Sequence, residues 1–207
     1  MKSRELALLL RHPLLQLDGF VLKGALLFKP PVDRLLRGIY FDSSGFDRRA
    51  FYPTLFVMPT CVPTSNLNFN FGDRIRMAAG GERWNTEMPD LVIELGAALK
   101  RATIFLSGID SHSAFVNFAQ SGLRTERTLE GIGYALACDG KISQAIAVFN
   151  ELLDKIDVRV HWHVELADRI NDLKRTLIES PEIARGQLAL SETETIRNLG
   201  LTKFRGA

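Results

Sequence analysis

The fold is decided by residues 125–156, TERTLEGIGYALACDGKISQAIAVFNELLDKI, which fall into two apolar stripes on either side of Asp139 and Gly140. Apolar and small residues recur at helical spacing in both stripes: Leu129, Ile132, Gly133 and Leu136 in the first, and Ile142, Ala145, Phe149 and Leu152 in the second. An Asp-Gly pair is a strong turn signal. The pattern therefore predicts a hairpin of two helices.

Helical periodicity extends to both sides of this hairpin. Further helices are predicted over residues 91–105, 111–119, 164–177 and 182–199. Ser111 or Ser113 is expected to cap the second of these, because serine side chains accept hydrogen bonds from free N–H groups at helix starts. Ser180 and Pro181 separate the last two, and the final helix is expected to be interrupted near Gly186.

The pattern changes before residue 80, where short apolar runs are separated by turn residues. A short helix is predicted over residues 3–12, followed by strand candidates at residues 20–22, 26–28, 35–41, 51–62 and 67–71. Residues 67–71, LNFNF, alternate between apolar and polar, which predicts a half-buried strand with Leu67, Phe69 and Phe71 buried together. Pro53 and Pro59 cannot donate ladder hydrogen bonds, so residues 51–62 are expected at a sheet edge or as an interrupted strand.

These patterns predict an α+β protein, with a mainly antiparallel N-terminal sheet that includes one short helix and an all-helical C-terminal region. Ala78 to Gly81 is the best boundary candidate. It separates a β-rich half, residues 1–85, from a helical half, residues 86–207, which we expect to pack together as one compact unit.

Composition limits the classes of partner. The net charge is only +2, which argues against nucleic acid, whose partners carry a dense basic patch. Residues 1–85 carry 12 Lys+Arg against 7 Asp+Glu (net +5), and residues 86–207 carry 14 against 17 (net −3). Such asymmetry favours an acidic protein partner. No apolar run reaches the length of a membrane span, so we expect no membrane partner and a cytoplasmic location.

The hairpin resembles a single tetratricopeptide repeat. Ile132-Gly133 stands at the Leu-Gly position of that repeat, Gly140 at its turn, and Ala145 and Phe149 at the small and aromatic positions of its second helix. The chain departs from the repeat at Leu129 and Leu136, where aromatic residues are usual, and at Asp157, where proline is usual. One repeat cannot form a solenoid. The resemblance therefore implies a packed helical hairpin.

The whole layout also resembles bacterial families of unknown function, a group that includes immunity and accessory proteins of toxin systems. The resemblance is carried by three stretches, residues 40–44 (YFDSS), 51–53 (FYP) and 67–72 (LNFNFG). The helical residues 134–153 add to it. It implies a protein-binding role and transfers no functional residue.

Several residues have types that could support chemistry, but none matches a catalytic or metal motif. His161, His163 and Glu165 would share one face only in a strand, and no standard metal-site spacing is present. Asp110 and His112 are explained by helix capping, and Cys61 has apolar neighbours that suppress thiol reactivity. We therefore predict no metal and no cofactor. A hydrolase that uses Asp110, His112 or the His161/His163 pair is the alternative function.

The leading hypothesis is a non-enzymatic protein-binding module of bacterial type. Arg48 and Arg49, with Arg74 and Arg76, flank predicted strands, and arginine is well suited to recognise carboxylates. These four residues are the candidate binding residues for an acidic partner. The alternative is that they form a charged rim that prevents sheet edges from pairing.

Overall fold

The structure, a computed structural model, describes residues 3–206, with side chains from Glu5 onward. The strands are β1 Val21–Lys23, β2 Leu26–Phe28, β3 Leu35–Ser43, β4 Ala50–Pro59, β5 Gly72–Arg74 and β6 Trp84–Asn85. The helices are α1 Ser3–Leu10, α2 Leu91–Ser107, α3 His112–Ala119, α4 Glu126–Cys138, α5 Ile142–Leu153, α6 His161–Glu179 and α7 Pro181–Asn198. This arrangement confirms the predicted α+β class, with the sheet in the N-terminal half and the helices in the C-terminal half.

The sheet is antiparallel throughout. Its strands follow the order β1-β2-β3-β4-β5, and β6 also pairs with β4. The longest ladder joins β3 to β4, from the pair Leu35 and Pro59 to the pair Ser43 and Phe51. Strand β4 therefore runs unbroken from Ala50 to Pro59 inside the sheet, and the prediction of an edge strand or an interrupted strand is wrong.

Proline is tolerated in β4 because of the side to which its ring nitrogen points. Val57 donates its N–H to the Phe71 carbonyl, and Pro53 accepts from the Ile75 N–H. The Pro53 C=O and the Val57 N–H therefore point toward β5. Strand β5 is short and pairs only with Thr54 to Phe56 of β4. The missing N–H of Pro53 falls between β5 and β6, where no ladder bond is needed.

Both faces of the sheet are covered. One face packs on the helices and shares a core with them, including Ile39, Phe41, Val57, Leu99 and Leu129. The opposite face is covered by the C-terminal end of α7 and the chain that follows it, and its core consists of Leu26, Phe28, Val32, Leu36, Phe56, Met58, Ile196 and Leu201. Burial on both sides explains why β2 is apolar at every position, since each of its residues is buried.

Residues 67–71 do not form the predicted strand. Leu67 packs against the core on the face that the end of α7 covers, whereas Phe71 belongs to the core between the sheet and the helices. Phe69 is 39% exposed and its ring contacts those of Tyr40 and Phe56. The segment therefore crosses the sheet edge, and its alternating apolar residues serve two different cores.

The predicted hairpin is present as α4 and α5. Thr125 caps α4 with a reciprocal capping box to Thr128, and Gly140 ends the turn with a φ of +71°, which favours glycine. Phe149 is fully buried, and a Cβ added at Gly133 would lie 2.3 Å from the Phe149 ring. The missing side chain of Gly133 is thus what lets the two helices approach.

The remaining helices match the predicted ranges closely, with one exception. Ser111 caps α3 by accepting the Ala114 N–H, as predicted. Helix α7 runs without a break from Pro181 to Asn198, so the predicted interruption near Gly186 is wrong. Glycine weakens a helix but does not end it when the helix is held by packing, and here α7 buries Ala184 and Leu188 on either side of Gly186.

Replacing Gly186 with alanine should stabilise the protein. An added Cβ there meets no atom within 4 Å, and glycine is about 0.8–1.0 kcal/mol less favourable than alanine inside a helix. We expect a higher urea midpoint with an unchanged slope. Gly140→Ala is the matched control, because its positive φ makes alanine strained and should lower the midpoint. An unchanged midpoint for Gly186→Ala would show that α7 frays at this position.

Candidate functional site

A polar cleft of about 420 Å³ lies between the loop that follows β4 and the helices α4 and α6. Its wall on the loop side consists of residues 62–68 with Asn70 and Phe71, and its helix side consists of Arg127, Glu130, Gly131 and Arg169. We call this the polar cleft. It is the candidate functional site.

The loop wall is held by hydrogen bonds to α7 and within itself. The Thr64 N–H donates to the Thr195 hydroxyl, which in turn donates to the Val62 carbonyl. Thr64 and Asn66 are joined by reciprocal bonds between the Thr64 hydroxyl and the Asn66 backbone. These contacts give the wall a fixed backbone while the Asn66, Asn68 and Asn70 side chains line the cleft.

The floor of the cleft depends on a small residue in α4. Phe71 packs edge-on against Phe115, with the ring centres 4.6 Å apart. A Cβ added at Gly131 would lie 2.6 Å from the Phe71 ring, so only glycine lets this ring lie against α4. No local sequence pattern indicates this contact, because Gly131 and Phe71 are far apart along the chain.

A buried carboxylate lies beside the cleft between two arginines. The Glu130 side chain is 2% exposed, and it accepts hydrogen bonds from Arg127 at 3.0 Å and from Arg169 at 2.5 Å. The arginine side chains remain 43% and 34% exposed. Two positive charges therefore surround one negative charge, and the group keeps a net positive charge at the cleft.

Arg169 is held from a second side by Tyr134. Burial lowers the pKa of the Arg169 guanidinium, but Glu130 and Tyr134 raise it, and the net effect is a rise. Burial also raises the pKa of Tyr134 well above its ordinary value. The Arg169 Nε is buried and has no hydrogen-bond partner within the described residues. Arg169 is thus a permanently charged donor that its protein partners do not fully satisfy.

An aromatic residue lies over the other arginine. The Trp162 ring lies 4.4 Å from the Arg127 guanidinium, and the Trp162 residue is 38% exposed. Arginine and tryptophan are the residue types most enriched at the energetic centres of protein interfaces. Together with the polar loop wall, this pair gives the cleft the chemistry to bind a segment that combines carboxylate and apolar groups.

The four arginines predicted as binding residues lie away from the polar cleft lining. Arg49 pairs with Glu87 at 2.9 Å and also contacts Asp47. Arg74 and Arg76 both pair with Glu82.

Arg48 differs from the other three arginines. Its side chain is exposed, and no ion pair to it is found among residues 5–206. An acidic partner at this edge would compete with Glu82 and Glu87 for three of the four arginines. The role of Arg48, Arg49, Arg74 and Arg76 in binding stays a prediction.

The residues of the alternative hydrolase do not converge. Asp110 is exposed and lines a cavity with Asp33 and Arg37, whereas buried His112 lines a different cavity with Cys138.

His161 and His163 also point to different surroundings. His161 is 90% exposed and pairs with Glu165, one helical turn away. His163 is buried, and its Nδ1 accepts the Asp157 N–H. His163 therefore caps the turn that opens α6, and the two imidazoles do not face a common point.

The fold brings His112 close to both cysteines, which the sequence did not predict. Ligand atoms of Cys61, His112 and Cys138 all lie within 4.8 Å of one another, and we call this group the Cys–His cluster. The hydrogen bond with Cys138 and burial raise the pKa of Cys61, while burial lowers the pKa of His112. No spacing rule reveals the cluster, because its members come from three separate segments.

Comparisons with protein-family models, with curated proteins and with solved structures found no match. None of the helices within residues 3–206 combines the length and apolar character that crossing a bilayer requires.

Proposed function

We propose that the chain is a non-enzymatic protein-binding module of bacterial type and that an acidic segment of its partner docks in the polar cleft. The proposal is carried by one observation. Arg127 and Arg169 flank a single buried carboxylate, Glu130, beside an open cleft, so the site holds an excess positive charge with exposed donors.

Arginine gives this site a directional preference. Its planar guanidinium binds a carboxylate through paired N–H donors, and Arg127 is already oriented by Glu130 on one side and by Trp162 on the other. A fixed guanidinium loses less conformational entropy on binding than a free one. The asparagines of the loop wall add donors and acceptors for a partner backbone.

The size of the cleft favours a short segment over a domain face. A volume of about 420 Å³ falls in the range of pockets that enclose a few side chains. A partner loop or terminus that carries one carboxylate fits this space. Contacts around the rim, including Trp162, would supply the remaining interface.

The polar cleft is preferred over the sheet-edge arginines because its charged group is more strongly shielded from solvent. Arg49 pairs with exposed Glu87, and Arg74 and Arg76 share half-buried Glu82, so water screens these pairs. In the cleft the two arginines share Glu130, whose side chain is only 2% exposed. The overall layout resembles bacterial immunity and accessory proteins, so we also propose a cytoplasmic location and a toxin or secretion component as partner.

The test is recovery of the partner by matched arginine variants. The full chain is used as bait in extract from cells that contain it, and bound proteins are quantified for Arg127→Ala and for Arg175→Ala. Both arginines pair with an acid three residues away, but the Arg175 pair is exposed and lies outside the cleft lining. We expect Arg127→Ala to reduce recovery about 30-fold, as loss of a 2 kcal/mol hot spot would. Arg175→Ala should have no effect.

Thermal melts of both variants show whether each remains folded at the temperature of the assay. Equal recovery by Arg127→Ala and the unaltered chain would contradict the proposal. Loss of the partner in an Arg48→Ala, Arg49→Ala double variant, with Arg127→Ala unaffected, would move the binding surface to the sheet edge.

A further inference from the structure

The Cys–His cluster lies where three separate segments end or begin. Cys61 follows β4, His112 is the first residue of α3, and Cys138 is the last residue of α4. Cys61 is fully buried, whereas Cys138 is half-buried and lines a cavity of about 420 Å³ together with His112 and Asp139. The cluster therefore has one closed side and one side open to that cavity.

Both ring nitrogens of His112 face hydrogen-bond acceptors, and neither faces a donor. One ring nitrogen, Nε2, lies 3.2 Å from the Arg34 carbonyl oxygen, and the other, Nδ1, lies 3.4 Å from the Asp139 carboxylate. Both neighbours are acceptors. A neutral imidazole has a single N–H, so in either tautomer one nitrogen lone pair faces an oxygen. A second proton on the ring, or a metal ion bound to one of the two nitrogens, removes this conflict.

The neighbouring thiols identify the kind of cation. Two cysteine sulfurs and one imidazole nitrogen are the ligands that zinc prefers, and sites with three protein ligands keep a fourth position open. In tetrahedral zinc sites the ligand atoms are about 3.5–3.8 Å apart, as follows from zinc bond lengths of about 2.0–2.3 Å. The cluster atoms all lie within 4.8 Å of one another, so a closure of no more than about 1.3 Å brings them to this geometry.

We propose that Cys61, His112 and Cys138 form a zinc-binding site whose fourth position faces the adjoining cavity. Asp139 is a positioning residue, since carboxylates beside metal-bound histidines fix the ring orientation. The Ser113 hydroxyl donates to Asp139 at 2.7 Å, which holds the carboxylate in place.

The charges around the site are compatible with a bound zinc ion. Two thiolates neutralise the ion, and Lys141 lies 3.7 Å from Asp139 and offsets its charge. Arg34, Arg185 and Glu192 also line the cavity, and Glu192 pairs with Arg205. Cys138 ends α4, and the negative end of a helix dipole favours a cation.

Cobalt titration tests the site in the full chain. The protein is purified under reducing conditions, stripped with a chelator and titrated with Co²⁺, and then with Zn²⁺. We expect about one equivalent of Co²⁺ to bind, with thiolate-to-cobalt charge-transfer absorption and tetrahedral visible bands that Zn²⁺ abolishes. Cys138→Ser should remove most of the charge-transfer intensity. Asp139→Asn should weaken zinc binding about 10–100-fold.

The control is His161→Ala, because His161 is exposed and pairs with Glu165 outside the cluster. This variant should bind cobalt as the unaltered chain does. A second measurement needs no substitution: bound zinc should slow alkylation of the half-buried Cys138. The proposal is overturned if the reduced, folded chain shows no thiolate-to-cobalt band. It is also overturned if zinc leaves alkylation unchanged, or if binding is lost in His161→Ala and kept in Cys138→Ser.

Discussion

Replacing Phe149 with alanine is expected to lower the free energy of unfolding by about 3–5 kcal/mol. The Phe149 ring is fully buried, lies over Gly133 and packs edge-on against Tyr134 with ring centres 5.8 Å apart. Removing it opens a cavity between α4 and α5 that backbone on both sides keeps from collapsing. Domains hold only about 5–15 kcal/mol in total, so the melting temperature should fall sharply.

Urea denaturation of Phe149→Ala beside Phe46→Ala measures this effect. Phe46 is fully exposed, so the same chemical change there should alter stability by less than about 0.5 kcal/mol. Gly133→Ala is a second variant, and its added methyl would meet the Phe149 ring and destabilise the hairpin by about 1–3 kcal/mol. If Phe149→Ala keeps its stability and loses only its partner, the hairpin is a recognition surface and not a structural one.

Removing Glu130 should produce the second large loss. Deleting one partner of a buried ion pair typically costs about 3–5 kcal/mol, because the remaining charge is left without compensation. In Glu130→Ala, Arg127 and Arg169 lose the carboxylate that they share. Both arginines remain partly exposed, so water can solvate them. We therefore expect the free energy of unfolding to fall by about 3 kcal/mol, at the low end of this range.

Denaturation of Glu182→Ala provides the matched comparison for Glu130→Ala. Glu182 pairs with Arg185 at the same three-residue spacing, but both side chains are exposed, and such pairs contribute about 0–1 kcal/mol. Glu130→Gln keeps the shape and removes the charge, which separates packing from electrostatics. Equal midpoints for Glu130→Ala and Glu182→Ala would mean that the carboxylate does not hold the cleft together.

The helical half was predictable because its signals are local. In the hairpin, apolar spacing, the glycine at the turn and the close pair Gly133 and Phe149 all indicate the same structure. The alternation in residues 67–71 led to a wrong strand prediction. The same alternation also occurs in a segment that crosses a sheet edge and packs side chains into the cores on both faces of the sheet. The prolines of β4 misled because the sequence does not show toward which neighbour a missing N–H points.

The candidate site was not predictable from the sequence, for a related reason. The polar cleft joins a loop near residue 65 to helices near residues 130 and 169, and no local pattern links Glu130 to Arg169. Only the spacing of Arg127 and Glu130, three residues apart on one helix, was visible. The Cys–His cluster likewise requires tertiary structure, since residues 61, 112 and 138 share no motif.

Site-specific photo-crosslinking tests the central claim, that the polar cleft binds an acidic segment of another protein. A photoreactive residue is placed at Asn68, which lines the cleft, or at Ile104, which is 75% exposed on α2 and does not line it. Each variant is activated in cells that contain the chain, and the attached peptide is identified by mass spectrometry. We expect one partner peptide rich in Asp and Glu to be attached at Asn68 and not at Ile104, and this attachment to be lost when Arg127→Ala is added. Equal attachment at both positions, or a peptide at Asn68 without acidic residues, would contradict the proposed binding of an acidic segment.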